Sequence, residues 1–161
     1  CSIAENCRFS FCADLYCGSG IIGLAIAKAI SNKRFIGIEI NPDSIRDAKV
    51  NAKINGIENI EFFAGDSADL KKHINDGVLP DLITVDPPRA GLSKKMSADI
   101  VLVNPDNIIY VSCNPQTLAR DLKYFADNGY SIEKAIPVNL FPYTKHVETV
   151  CFLSKSELNV R

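Results

Sequence analysis

No stretch of this 161-residue chain approaches the roughly 20 consecutive apolar residues that a membrane-spanning helix requires. The opening residues, Cys1-Ser2-Ile3-Ala4-Glu5-Asn6-Cys7, have no basic segment leading into a long apolar run, so they do not read as a secretory signal peptide. An initiator methionine is missing too, and we expect a piece of a longer protein. No C-x-x-C pair occurs among the six cysteines, which removes thioredoxin-type and zinc-knuckle readings. The even spacing of Cys1, Cys7, Cys12 and Cys17 suggests a metal site only superficially, because Cys12 falls in a strand-like run and Cys17 in a glycine turn. No metal is expected, and the free thiols fit a reducing cytoplasmic or nuclear setting. Also lacking is a basic excess: net charge is −1, and lysines pair only locally, as at Lys71-Lys72 and Lys94-Lys95. A domain that held nucleic acid alone would carry more positive charge, so phosphate contacts to such a substrate must come largely from elsewhere. Repeats, low-complexity stretches and linkers are absent. With 47% apolar and 23% charged residues, the chain reads as one globular domain over residues 1–161.

What is present alternates. Strand-like runs at Phe9 to Leu15, Arg34 to Glu39, Ile60 to Ala64, Asp81 to Val85 and Ile108 to Ser112 are separated by helix-like segments. These are Ile21 to Ile30, Asn41-Pro42 to about Ile54, Ala68 to Asn75, Ser97 to Val103 and Thr117 to Asp127. Such alternation predicts a parallel sheet with crossover helices. Asn41 is a good N-cap and Pro42 suits the first helical position, while Asn55-Gly56 stops that helix. Two last strands, Ser131 to Pro137 and Val147 to Leu153, are joined by the stretch from Asn139 to His146, too short for a crossover helix, so they should be antiparallel. The expected fold is α/β: a seven-stranded, doubly wound, mostly parallel sheet with a C-terminal hairpin.

Chemistry-bearing residues gather where such sheets place ligands, at the carboxyl ends of strands. Asp14-Leu15-Tyr16-Cys17-Gly18-Ser19-Gly20 turns from the first strand into a helix, with Gly18 and Gly20 allowing close backbone approach. The third glycine of a dinucleotide fingerprint is missing, so this loop by itself reads equally as a tight turn. Glu39, ending the second strand, is placed to take the ribose hydroxyls of a nucleoside cofactor. Asp66, after the third strand, fits either an adenine amine or a helix cap. This order of loop and acids, with the closing hairpin, favours S-adenosylmethionine over a nicotinamide dinucleotide. Asp86-Pro87-Pro88-Arg89 holds an extended turn beside Asp86. An aromatic residue in place of Arg89 would suit amino-group methylation of a base; the arginine instead suits a phosphate or a base carbonyl. Ile108-Ile109-Tyr110-Val111-Ser112-Cys113-Asn114-Pro115 ends an apolar strand in a thiol, and Asn114 could bond a base edge. Taken alone, Cys113 reads more readily as a small core residue than as a nucleophile. A free thiol titrates near ~8.5, so rapid attack at neutral pH needs an environment that favours thiolate. Glu148, after His146-Val147, is a candidate general base.

Asp86-Pro87-Pro88-Arg89-Ala90-Gly91, followed by Ile108 through Thr117, resembles the signature of RNA uracil-5 methyltransferases. Phe141-Pro142-Tyr143-Thr144-x-His146-Val147-Glu148 is similar to their second signature. The resemblance covers essentially the whole chain and reverses the balance for Cys113. It implies a Rossmann-like class I methyltransferase that uses S-adenosylmethionine. Cys113 would add to C6 of a uracil, C5 would take the methyl group, and Glu148 would remove the C5 proton. Tyr16, Glu39, Gly18, Gly20, Asp66 and Asp86 would form the cofactor side, with Asp86 at the junction with substrate. The implied partner is RNA, transfer or ribosomal, bound largely through N-terminal segments absent here that also supply a cofactor-contacting glutamine. Two positions depart from the pattern. Asn139 stands where the second signature has aspartate, and Ile21 stands where bacterial members often carry a cofactor-contacting asparagine. Cytosine-5 methylation, which also proceeds by cysteine attack, and a non-catalytic RNA-binding module are the alternatives.

Overall fold

The computed structural model describes residues 7–74, 77–139 and 147–156. Its strands are β1 (Phe11–Leu15), β2 (Arg34–Glu39), β3 (Ile60–Ala64), β4 (Leu82–Val85), β5 (Asn107–Ser112), β6 (Tyr130–Val138) and β7 (Glu148–Lys155). Its α-helices are α1 (Ile21–Ala29), α2 (Pro42–Ile54), α3 (Lys94–Val103) and α4 (Pro115–Asp127), and a 3-10 helix spans Ser67–His73. The strands form one sheet in the order β3-β2-β1-β4-β5-β7-β6. The five β1–β5 strands are parallel; β7 runs antiparallel to both β5 and β6. The expected seven-stranded, doubly wound sheet with its terminal hairpin is the fold observed.

Side chains alternate across a strand, and here both faces are covered. Ala13, Leu15, Ile36, Ile38, Ile83, Val85, Ile108, Tyr110, Cys151 and Leu153 share one core cluster with Met96 and Ile100 of α3 and Leu118 and Phe125 of α4. Cys12, Phe35, Leu82 and Ile109 face the other way, into a cluster with Leu24 and Ile26 of α1 and Ile45 and Ala48 of α2. Near-continuous apolar strands are what two buried faces demand.

Boundaries differ from the sequence expectation for local reasons. Phe9 is buried but lies outside β1. There the Asp81 carboxylate, rather than a neighbouring strand, accepts from the amides of Ser10 (2.8 Å) and Phe11 (2.9 Å). Helix α3 begins three residues before the expected Ser97, because the Ser93 hydroxyl caps it by accepting from Met96 N at 3.1 Å. Helix α4 begins two residues before Thr117, capped by Asn114 with Pro115 in its first turn. The segment expected to run from Ala68 to Asn75 is a 3-10 helix with a kink at Asp69; Asn75 lies outside the described residues.

Candidate active site

The carboxyl ends of β1, β2 and β3 build one half of a crevice. Leaving β1, Tyr16 takes a left-handed backbone (φ 59°), and its amide donates to the Ser67 hydroxyl at 3.2 Å. Glu39 ties this loop to the next helix: one carboxylate oxygen accepts from Gly18 N (3.2 Å) and the other from Asn41 N (3.0 Å). A side chain at Gly18 would meet nothing, so the loop there faces open space. Gly20 is different. It is buried, and a Cβ would come within 2.7 Å of the Phe62 ring, so the missing side chain here lets the loop pack on β3. The Tyr16 phenol is pushed up by burial and then by the charges of Asp66 and Glu39, which brings these three groups to one place. Asp66 caps the 3-10 helix, one oxygen accepting from Ala68 N at 2.9 Å; a carboxylate retains further lone pairs for a second partner.

Beneath the loop lies an acid to which the sequence reading gave no role. Asp14 is 1% exposed, accepts from Gly23 N (2.9 Å) at the start of α1, and accepts from the Thr84 hydroxyl of β4. Gly23 is required for this approach, since a Cβ there would sit 2.7 Å from the carboxylate. Burial raises Asp14 to about 6 against the pull of its two donors, with the Asp86 charge adding to the rise. The signal was visible: a lone acid inside the apolar run Phe11-Cys12-Ala13-Asp14-Leu15.

The other half comes from β4, β5 and β7. Ser112 of β5 pairs with Thr149 of β7, so Cys113 and Glu148 are the residues next to the last pair of this ladder, and Asp86 follows β4 directly. Within the strands, Leu82 and Ile109 belong to the α1/α2 cluster and Val150 and Phe152 pack against it, so alternation puts Glu148 on that side, as it does Asp14 beyond Cys12. Asp86 is raised from its ordinary value by loss of solvation and then by the Glu148 charge, so those two carboxylates sense one another. Cys113 and Glu148 are both partly exposed at the crevice. The Asn114 side chain has structural partners at both ends. Its carbonyl accepts from Gln116 N (3.1 Å) and its amide donates to Arg89 O (3.0 Å), so it caps α4 and holds the Asp86–Arg89 turn. His146 and the Phe141–Thr144 part of the second signature lie outside the described residues. A cleft of about 520 Å³ beside β3, lined by Lys49, Ile57 and Phe63 among others, contains none of these groups, so volume alone does not locate the site.

A glycine loop at the first strand, an acid closing the second, and a terminal antiparallel strand inserted beside β5 define the architecture of class I methyltransferases. A precorrin methyltransferase from Geobacter metallireducens has the same fold, with a TM-score of 0.74 at 15% identity. The tRNA (uracil-5-)-methyltransferase model matches residues 3–156, and the chain belongs to that family. It is 46% identical over 143 residues to an uncharacterized RNA methyltransferase of Caldanaerobacter subterraneus, covering 89% of this chain and 31% of that protein. A counterpart in Clostridium acetobutylicum is 43% identical over 143 residues, covering 88% and 31%. Among solved structures, a Pyrococcus abyssi tRNA (uracil-54, C5)-methyltransferase in complex with S-adenosyl-L-homocysteine superimposes with a TM-score of 0.79 and 32% identity, covering 94% of this chain and 36% of that one. The chain thus spans about a third of the length of the relatives it matches.

Proposed function

We propose that this chain is the catalytic domain of an enzyme that methylates C5 of a uridine in RNA, using S-adenosylmethionine and a covalent Cys113 adduct. The observation that supports the reading is the insertion of β7 between β5 and β6, with the Ser112–Thr149 pair bringing the strand ends that carry Cys113 and Glu148 side by side. Uracil C5 is a weak carbon nucleophile. Addition of the Cys113 sulfur at C6 places the electron pair on the enolate, with carbanion character at C5. C5 then bonds to the incoming methyl, Glu148 takes the C5 proton, and the electron pair left behind expels the Cys113 thiolate. S-adenosylmethionine supplies a methyl group activated by its positive sulfur. The residues present fit it: Glu39 for the ribose hydroxyls, the open backbone at Gly18, and Tyr16 and Asp66 around the base, with Asp86 between cofactor and uridine. The uridine must leave its stack to reach Cys113, at a cost of a few kcal/mol. A reactive thiol and an RNA substrate both suit the cytoplasm, and RNA affinity falls largely to parts of the protein outside this chain.

Incubating the full-length protein with methyl-labelled S-adenosylmethionine and RNA, then digesting the RNA to nucleosides, tests the reading. Label should appear in 5-methyluridine. Label in 5-methylcytidine would transfer the chemistry to cytosine, and unlabelled RNA would contradict the proposal.

A further inference from the structure

Behind the crevice, on the opposite face of the sheet, a buried carboxylate gathers the chain segments that carry the reacting groups. Asp121 of α4 is 3% exposed. One of its oxygens accepts from Leu92 N (2.9 Å) and from the Tyr110 hydroxyl (2.6 Å); the other accepts from Arg120 Nε (2.8 Å) and pairs with Nη2 (2.7 Å). Arg120 Nη2 reaches on to the carbonyls of Ala90 (3.1 Å) and Leu92 (3.0 Å). The Arg89 carbonyl accepts from Asn114 Nδ2 and from the Thr117 hydroxyl at 3.3 Å. The turn from Arg89 to Leu92 is therefore bonded along its length to the first two turns of α4. Gly91 completes the fit. It has φ 75°, and a Cβ there would lie 2.6 Å from both Arg120 Nη2 and the Asp121 carboxylate. This turn follows Asp86 directly, and α4 follows Cys113 directly, so the clamp ties together the two strand ends whose spacing the reaction depends on.

We propose that Arg120 and Asp121 are positioning residues: their ion pair, seated on Gly91, fixes the turn after Asp86 against the helix after Cys113 and so sets the alignment of thiol, carboxylate and target uridine. The inference rests on the uridine reading for its chemistry, and on the hydrogen-bond network alone for its mechanics. Misplacement by about 1 Å costs on the order of 100-fold in rate when reacting groups must align. Binding of cofactor on the β1–β3 side, by contrast, should be indifferent to it.

The test uses the full-length enzyme with Arg120→Ala, whose side chain is 56% exposed, and with Gly91→Ala, which intrudes on the clamp from the other side. Three quantities are read: the rate of adduct formation with RNA containing 5-fluorouridine at saturating S-adenosylmethionine, the cofactor Kd, and amide exchange of residues 89–92. Both variants should slow adduct formation by about 10- to 100-fold, leave the Kd within about 2-fold, and speed exchange of the turn by about 10-fold or more. The double variant should be no slower than the slower single one, because both break one device. Arg120→Lys, able to renew only part of the network, should fall between parent and Arg120→Ala. Unchanged exchange, or a freed turn with adduct formation within about 2-fold of the parent, overturns the proposal. A parent enzyme that forms no adduct defeats the uridine reading instead; the clamp is then judged on exchange alone, where an unchanged turn still refutes it.

Discussion

The two halves of the crevice are built by opposite strategies. On the β1–β3 side, the groups proposed to meet the cofactor lie at the end of a strand or within five residues after it, and short bonds fix them: Glu39 to Gly18 and Asn41, Tyr16 to Ser67, Asp66 to its own helix. On the β4–β5–β7 side, Asp86, Cys113 and Glu148 come from distant parts of the chain, and the strand ends that carry Cys113 and Glu148 lie side by side only because β7 inserts antiparallel beside β5. The first half uses strands that are neighbours in sequence and in the sheet; the second needs the last strand of the chain in place. Cofactor binding and covalent chemistry should therefore be separable by mutation.

The sharpest separation comes from Cys113→Ala. Turnover should fall by at least about 10³-fold, as expected when a covalent nucleophile is removed, while cofactor affinity stays within about 2-fold by calorimetry. A comparable loss of cofactor binding would mean that the halves are not independent. Glu148→Gln should lower turnover by about 10² to 10⁴-fold yet let an adduct accumulate on ordinary uridine RNA, visible on denaturing gels, because C5 deprotonation stalls. Rapid release of methylated product from that variant would remove Glu148 from the base role. The mirror experiment is Glu39→Ala. Loss of charge-assisted bonds to ribose should weaken cofactor binding by roughly 10- to 100-fold while the adduct rate at saturating cofactor changes little.

The smallest effect is a pH dependence of stability. Asp14 is raised to about 6 in the folded chain and lies near 3.8 when exposed, so the fold prefers it protonated. Its stabilising contribution is complete below the unfolded value and is lost as pH rises through about 6. Lowering pH from 7 to 5 should stabilise the parent by about 1 kcal/mol relative to Asp14→Asn, whose amide cannot titrate. Parallel stability curves for the two proteins between those pH values would show that Asp14 is not held as described.

The same contrast explains what could be read from the chain alone. Strands β2 and β3 and helix α2 begin and end where the pattern says, because Asn41-Pro42 and Asn55-Gly56 punctuate them locally. Helix α3 was placed late because its cap, Ser93, follows a turn rather than an obvious apolar period. Glu39 was legible from its distance to the glycine loop, and Asp14 could have been found as an acid in an apolar strand. Asp121 was hidden on the apolar stripe of an amphipathic helix, between Leu118 and Phe125, where a buried acid signals a partner but not which one. The pairing of roles for Cys113 and Glu148 comes from resemblance alone, since neither composition nor periodicity says that β7 threads between β5 and β6. Asn114, read from the sequence as able to bond a base edge, also caps α4 and holds the Arg89 carbonyl, a structural role its Asn-Pro position suggests.

The central claim is that one sulfur becomes covalently bonded to the target pyrimidine beside a carboxylate delivered by β7. It is tested most directly by trapping full-length enzyme on RNA containing 5-fluorouridine in the presence of S-adenosylmethionine, digesting the complex, and sequencing the cross-linked peptide by mass spectrometry. The account predicts a single nucleotide-bearing peptide with its added mass on Cys113, absent from Cys113→Ala. A cross-link on any other residue, or one that persists in that variant, would contradict it.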